Sequence, residues 1–304
     1  MSITQTNLDN ILPLVSRGKV RDIYEVNANT LLFIATDRIS AYDVIMENAV
    51  PDKGILLTKL SEFWFKFLEK EVRNHLVEIP KGMTVFDFLP TELKEPKYRS
   101  QIENRSMLIQ QFKLIPLEVI VRGYITGSAW KEYTKTNTIH SIPQQENLQE
   151  SQELPKAVFT PSTKAEQGDH DENISIEQAT ELIGKELADR VEELSIRLYS
   201  KCKEYAKNKG IIIADTKFEF GIDEATNEII LVDEVLTPDS SRFWNSANYQ
   251  LGESQDSYDK QFLRDWLTSN KLNGIDNVKM PEEIVEKTRL KYIEAFEAIT
   301  GTKW

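Results

Sequence analysis

Ile211-Ile-Ile-Ala-Asp215-Thr-Lys217-Phe-Glu219-Phe-Gly221, with Ile229-Ile-Leu-Val-Asp233-Glu234 a few residues on, governs the reading of this chain. Each run begins apolar and β-branched and ends in charge. Alternate side chains of a strand share a face, so Asp215, Lys217 and Glu219 are expected on one side and Thr216, Phe218 and Phe220 on the other. Gly221 to Asn227 is rich in turn formers, and the two runs read as an antiparallel hairpin that brings Glu219 close to Asp233. Two carboxylates beside a lysine suit a magnesium ion holding a polyphosphate. The same pattern also fits a strand with a solvated charged face. The segment that follows, Val235-Leu-Thr-Pro238-Asp239-Ser-Ser241-Arg242-Phe-Trp244, supplies an acid, hydroxyls and an arginine after a proline turn, which points to a ligand site.

The surrounding 304 residues are 40% hydrophobic and 28% charged, an ordinary globular composition long enough for one large domain or two. A net charge of −12 argues against nucleic acid or an anionic membrane as partner, so anionic ligands need local basic clusters. No apolar stretch approaches the ~20 residues of a membrane span. The N-terminal Met-Ser-Ile-Thr-Gln-Thr-Asn lacks the regions of a signal peptide, and a cytoplasmic protein is expected. His75, His140 and His170 have no zinc-ligand spacing, and Cys202 falls in a helical apolar series typical of a core position.

Val20 to Val26 and Thr30 to Ala35 form a second hairpin pattern, and Leu56 to Leu68 an amphipathic helix. Ser106 to Gln110 and Leu117 to Arg122 are further strands, and Lys135 to Glu153 is a polar surface excursion. Ser175-Ile-Glu-Gln178 fits a capping box, with helix expected from there to Lys209-Gly210. Two helical segments flank Lys271 to Gly274. The expected class is α+β with two lobes: residues 1–113 as a strand-rich lobe and 114–304 as a larger mixed lobe carrying the C-terminal helices.

Three clusters suit anions. Ser16-Arg17-Gly18-Lys19-Val20-Arg21 sets cations around a glycine that lets the backbone approach a phosphate, although a solvated basic turn has the same composition. In Arg122-Gly-Tyr-Ile-Thr-Gly127-Ser128 a strand ends on arginine, and a helix N-terminus behind Ser128 would seat a phosphate. Phe159 to Asn173 offers Lys164 and Asp171 in a polar loop, or simply a polar lead into the next helix.

Taken together, Gly18-Lys-Val-Arg-Asp-Ile-Tyr24, Thr36-Asp-Arg-Ile-Ser-Ala-Tyr-Asp43, Val121 to Ser128, Thr160-Pro-Ser-Thr-Lys164, Asp215 to Gly221 and Asp233 to Arg242 resemble the SAICAR synthetases, in particular the monomeric fungal form. The resemblance spans the whole chain. It implies a carbon–nitrogen ligase of purine biosynthesis that consumes ATP, a carboxyaminoimidazole ribonucleotide (CAIR) and L-aspartate. It also implies a magnesium requirement, a kinase-like or ATP-grasp-like N-terminal ATP lobe, and a monomer with small-molecule partners only. A carboxylate needs activation as an acyl phosphate before an amine displaces its oxygen, and phosphoryl transfer depends mainly on positioning and charge neutralisation.

By that resemblance Gly18, Lys19, Val20 and Arg21 lie along the ATP phosphates, and Glu219 and Asp233 hold magnesium. Lys217 reaches the transferred phosphoryl group or the acceptor carboxylate. Arg122, Ser128, Asp239, Ser241 and Arg242 contact the ribonucleotide, with Arg264 at its phosphate, and Lys164 and Asp171 close over the substrates. Asp215 is either a ligand contact or the structural partner of Lys217. Another magnesium–ATP ligase or small-molecule kinase, and a catalytically silent nucleotide-binding regulator, are the alternatives; the second is disfavoured because Lys19, Lys217, Glu219 and Asp233 are all present.

Overall fold

The computed structural model describes residues 2–164, 173–258 and 260–304. Its elements run β1 (Leu14–Arg17), β2 (Arg21–Asn27), β3 (Thr30–Ala35), β4 (Ser40–Ala41), β5 (Val44–Ile45), α1 (Lys53–Leu68), β6 (Arg73–Asn74), α2 (Pro96–Ile102) and β7 (Ser106–Gln110). They continue with β8 (Lys113–Leu114), β9 (Leu117–Tyr124), α3 (Gly127–Thr136), β10 (Thr138–Ile139), β11 (Ile142–Pro143) and β12 (Glu153–Thr163). The remainder is α4 (Ile176–Ile183), α5 (Lys185–Lys207), β13 (Ile211–Asp223), β14 (Glu228–Val232), β15 (Ser241–Asn245), α6 (Gln261–Ser269) and α7 (Glu282–Thr300). Among the described residues no helix is long and apolar enough to cross a membrane.

The chain forms two compact units. The first comprises Met1–Lys66, Asn74–Phe112 and Asp259–Trp304; the second comprises Phe67–Arg73 and Lys113–Tyr258. The expected division kept the C-terminal helices with the second unit, and the structure differs there. Leu263 and Leu267 of α6 and Ile284 of α7 share a core with Ile39, Met46 and Val50. That apolar contact outweighs closeness in sequence.

In the first unit β1, β2, β3 and β7 form an antiparallel sheet in that order. Its alternation buries Tyr24, Leu32, Ile34 and Leu108 against Phe86, Leu93, Tyr98 and Ile102. In α1, Leu56, Leu60, Trp64 and Leu68 recur at helical spacing and are all buried.

The second unit is built on β13. Its early half pairs with β15 on one side and β9 on the other, and its later half with β14 and β8; β12 extends the sheet beyond β9. The neighbour on one flank therefore changes from β15 to β14 along β13, and the chain between them, residues 233–240, leaves the sheet at that point. Val119, Val121 and Phe218 turn to one face, and each is fully buried. Helix α5 packs against β9, β12 and β13.

Several expectations change in detail. Residues 153–163, read in part as loop, form the long strand β12, and Ser241 to Asn245, read as a post-turn segment, form β15. The helix expected from Ser175 to Lys209 is two helices, because Gly184 takes φ 84° between them. The capping box is present: Ser175 Oγ accepts from the Gln178 amide at 3.2 Å, and Gln178 Oε1 accepts from the Ser175 amide at 2.8 Å. The polar excursion contains the β10–β11 ribbon, with Ile139 and Leu148 buried beside α3. Cys202 is buried, and burial pushes its thiol pKa up, which leaves it inert.

Leu267 is fully buried in the shared core of α6, α7 and residues 39–50. Leu267→Ala should cost about 2–5 kcal/mol in urea unfolding. Hydrogen exchange should speed up in α7 and around Ile39 to Val50 while β13 keeps its protection. Loss of protection confined to β13 would contradict this division.

Candidate active site

The chemistry of the second unit begins at a bulge. Register along β13 and β15 shifts by one between Ile213 and Asp215, leaving Ala214 as the extra residue. A one-residue slip exchanges faces, so Ile211 and Ile213 share the apolar face of Phe218 and Phe220, while Asp215, Lys217 and Glu219 hold the other. The carbonyls of Ile213 and Ala214 are met from α5 by the Tyr199 hydroxyl, which donates at 2.6 and 3.3 Å. Glycine at position 123 makes room for this, because a Cβ there would run into the Tyr199 ring and hydroxyl.

Beyond the bulge, Asp215 is the direct cross-strand partner of Arg122 on β9 and of Arg242 on β15. Its Oδ2 accepts from Arg122 Nη1 at 3.2 Å and also from Arg242 Nη1. Arg122 continues to Thr160 Oγ1 at 3.1 Å and Ser128 Oγ at 3.4 Å. Burial lowers the Arg122 pKa; Asp215 opposes that shift and Arg242 adds to it. Asp215 is thus the ionic partner of two arginines, which replaces Lys217 in the structural alternative and leaves the ligand-contact alternative in place. Gly127, at φ 59°, closes the group: a Cβ there would lie 2.7 Å from Arg242 Nη2. Arg242 keeps 29% of its side chain exposed and Arg122 only 6%, so Arg242 offers the accessible guanidinium.

Two residues further along β13, Lys217 donates to Glu118 of β9 and lies 3.5 Å from Glu219 Oε1. Glu219 Oε2 also accepts from Lys164, which follows β12. The Lys217 amide donates to Ser240 O at 2.9 Å, tying β13 to residues 233–240. That segment starts at Asp233, whose φ of 64° turns the chain out of β14 directly after Val232, the partner of Glu219. Burial alone would lower the Lys217 pKa, but the charges of Glu219, Glu118 and Asp233 and the hydrogen bond to Glu118 raise it above the ordinary lysine value. Lys217 therefore stays an ammonium and cannot serve as a base.

Among the described residues no group of three or more His, Cys, Asp or Glu is gathered as a metal cage. Magnesium does not require one, since one or two carboxylates completed by waters and substrate phosphates are enough. Glu219 and Asp233 fit that pattern by chemistry: both are hard oxygen donors, Glu219 lies 3.5 Å from the Lys217 ammonium, and the Asp233 charge acts on the same ammonium.

The other expected residues are distributed as follows. Asp239 is half-buried in the 237–240 turn, where its amide donates to Thr237 Oγ1 at 3.2 Å. Ser241 is buried and shares a 2.8 Å hydrogen bond with Thr216 on the α5 side, facing away from Arg242. That alternation puts its hydroxyl on the opposite sheet face from the Arg242 side chain. Asp171 lies outside the described residues. Gly18, Lys19, Val20, Arg21 and Arg264 belong to the first unit, Arg264 half-buried on α6. There Gly18 N donates to Arg21 O at 2.8 Å, and exposed Lys19 pairs with Asp43 at 2.6 Å. Glu118 escaped the sequence reading, and Thr160 entered it only as the first residue of a motif, with no role of its own. A lone carboxylate inside the apolar run Leu117 to Val121 was the available signal for Glu118.

The SAICAR synthetase family model matches residues 14–281 of this chain. The chain belongs to the SAICAR synthetase family. It is 74% identical to the phosphoribosylaminoimidazole-succinocarboxamide synthase of Saccharomyces cerevisiae, with 100% of this chain and 99% of that one covered. A bacterial member from Maridesulfovibrio salexigens is 54% identical over 96% of this chain and 95% of its own. Among solved structures, the S. cerevisiae enzyme complexed with SAICAR superposes with a TM-score of 0.95 at 73% identity, covering 100% of this chain and 99% of that one. A type-2 SAICAR synthetase in complex with ADP, 24% identical with a TM-score of 0.68, shares the fold over 95% of this chain and 98% of its own.

Because the Lys217 pKa is raised, its stabilising contribution is full below the unfolded lysine value of about 10.4. It is lost only as pH rises through the higher folded value. Nitrogen-15 NMR should find Lys217 Nζ untitrated from about pH 6 to pH 10. A midpoint below about 9 would contradict the three-carboxylate environment.

Proposed function

We propose that Lys217, Glu118, Glu219 and Asp233 form the phosphoryl-transfer centre of this chain, with Asp215, Arg122 and Arg242 as the acceptor-binding group. The reaction served is the family's ATP-dependent ligation, in which L-aspartate joins the carboxylate of CAIR to give SAICAR, ADP and phosphate. The chain is an enzyme of the carbon–nitrogen ligase class. The observation that carries this reading is the juxtaposition on one sheet face of a permanently charged lysine among carboxylates and an arginine pair bound to one aspartate.

The chemistry follows from that juxtaposition. Lys217 Nζ keeps its proton, so it acts as a fixed charge toward a phosphoryl oxygen or the acceptor carboxylate. The aspartate amine must lose its proton to another group or to solvent. Glu219 and Asp233 would hold magnesium, which when bound supplies charge neutralisation to the polyphosphate. Lys164, in ion contact with Glu219, would add a second cation to the phosphoryl-transfer centre. Asp215 fixes Arg242 so that its exposed guanidinium can meet a ribonucleotide with little loss of side-chain freedom. In the first unit, Gly18 to Arg21 serve the ATP phosphates, and Arg264 serves the ribonucleotide phosphate. The enzyme on this reading is a cytoplasmic monomer acting on small molecules alone.

Oxygen-18 in the CAIR carboxylate should appear in inorganic phosphate during turnover with aspartate, since an activated carboxylate gives up one oxygen to the phosphoryl group. Unlabelled phosphate would exclude activation through phosphorylation.

The two groups should also separate kinetically. Removing Arg242 deletes a charge-assisted contact of roughly 2–4 kcal/mol. Arg242→Ala should raise the KM for CAIR far more than that for ATP, whereas Glu219→Gln should suppress kcat and shift the magnesium requirement upward. Equal effects of Arg242→Ala on both substrates would contradict this assignment.

A further inference from the structure

In the first unit the segment Thr36-Asp-Arg-Ile-Ser-Ala-Tyr-Asp43 lies directly behind the Gly18 loop. Arg38 Nη2 donates to Gly18 O at 2.9 Å, and Arg38 Nε donates to Lys19 O at 3.4 Å. The next carbonyl, Val20 O, accepts from the Thr36 amide at 2.9 Å and from Thr36 Oγ1 at 2.5 Å. Three successive carbonyls are thus drawn toward the segment that follows β3. In a trans peptide the N–H points opposite to the C=O of the same plane. Fixing the oxygens of Gly18 and Lys19 on Arg38 therefore directs the amide hydrogens of Lys19 and Val20 away from it. Successive amides aimed the same way are the backbone arrangement that receives an anion.

The arginine itself is held firmly. Its side chain is 8% exposed, Nη2 also donates to Asp22 Oδ1 at 2.8 Å, and Nη1 donates to Thr4 O at 2.5 Å. Asp22, with no exposed side-chain surface, is anchored in turn by the Thr6 amide at 2.9 Å, the Thr6 hydroxyl at 2.7 Å and Arg17 Nε at 3.3 Å. The guanidinium fork spans two loop carbonyls and the carboxylate at once, a geometry that a lysine ammonium cannot reproduce.

We propose that Arg38, assisted by Thr36, is a positioning residue for the triphosphate: it touches no substrate but sets the direction of the Gly18-to-Val20 amides. The proposal rests on the reading that Gly18 to Arg21 serve the ATP phosphates.

The test uses the full chain and compares dissociation constants for magnesium–ATP and for adenosine, which lacks phosphates. Arg38→Lys keeps the charge and should weaken ATP about tenfold to hundredfold, with adenosine changed less than about twofold. Thr36→Val, which keeps the Arg38 side chain but removes the hydroxyl that accepts from the Arg38 amide at 3.4 Å, should weaken ATP about threefold to tenfold with the same selectivity, and Thr36→Ser should restore it. It gives the same answer if the Arg38 variant does not fold. Equal weakening of both ligands, or unchanged ATP affinity, in the folded variants would overturn the proposal. Lys19→Ala separates the two levels. If it leaves ATP binding unchanged, the phosphate reading of the loop fails; if it weakens ATP while Arg38→Lys and Thr36→Val do not, only the role of Arg38 fails.

Discussion

Charged side chains within a sheet are costly unless opposite charges lie beside them, and β13 carries four on one face: Asp215, Lys217, Glu219 and, at its end, Asp223. Asp215, Lys217 and Glu219 can occupy that face only because β9 and the segments after β12 and β14 bring partners of opposite sign. Arg122 and Arg242 flank Asp215, Glu118 meets Lys217, and Lys164 meets Glu219. On the proposed assignment this pairing is also preorganisation: the groups proposed to meet phosphate, carboxylate and metal are already oriented by one another, so little reorganisation would remain for the reaction step.

The sheet assigns these groups to places. On the flank of β13 where β14 ends and β15 begins, the chain leaves the sheet and returns, and it carries Asp233 to the neighbourhood of Lys217. The arginine group sits on the β15 side of that gap and the lysine–carboxylate group on the β14 side. The apolar half of the same strand faces α5, whose Tyr199 satisfies the carbonyls loosened by the bulge. One strand thus serves as core and as scaffold of the proposed site, and the bulge at Ala214 separates the two duties.

The first unit applies the same economy to backbone. Its loop residues Gly18, Lys19 and Val20 are oriented by groups on the strand exit that follows β3, and Asp22 at the start of β2 neutralises the arginine that holds them. Asp37, next to Arg38, takes the Gly54 amide at 2.9 Å and Arg105 at 3.0 Å, so the same short segment also fixes the start of α1. Thr36 to Ala41 of that segment are therefore internal framework, and only Tyr42 and Asp43 at its end are exposed.

Local chemistry was enough to read much of this from the chain itself. The β13–β14 and β2–β3 hairpins, α1, the Ser175 cap and the buried Cys202 each leave a signal within a few residues: alternation, helical spacing, turn formers or a capping pair. The six motifs in order identify the family. What the sequence could not supply depends on contacts between distant residues. A bulge at Ala214 adds no residue type to mark it, yet it decides which isoleucines share the face of Asp215. Pairing across β9, β13 and β15 made Asp215 the partner of two arginines and turned Ser241 inward. Glu118 became part of the site only when β9 lay beside β13, and α6 and α7 joined the first unit because their apolar faces match Ile39, Met46 and Val50. Periodicity is a property of neighbours along the chain, whereas register and burial belong to the neighbours that tertiary structure brings together.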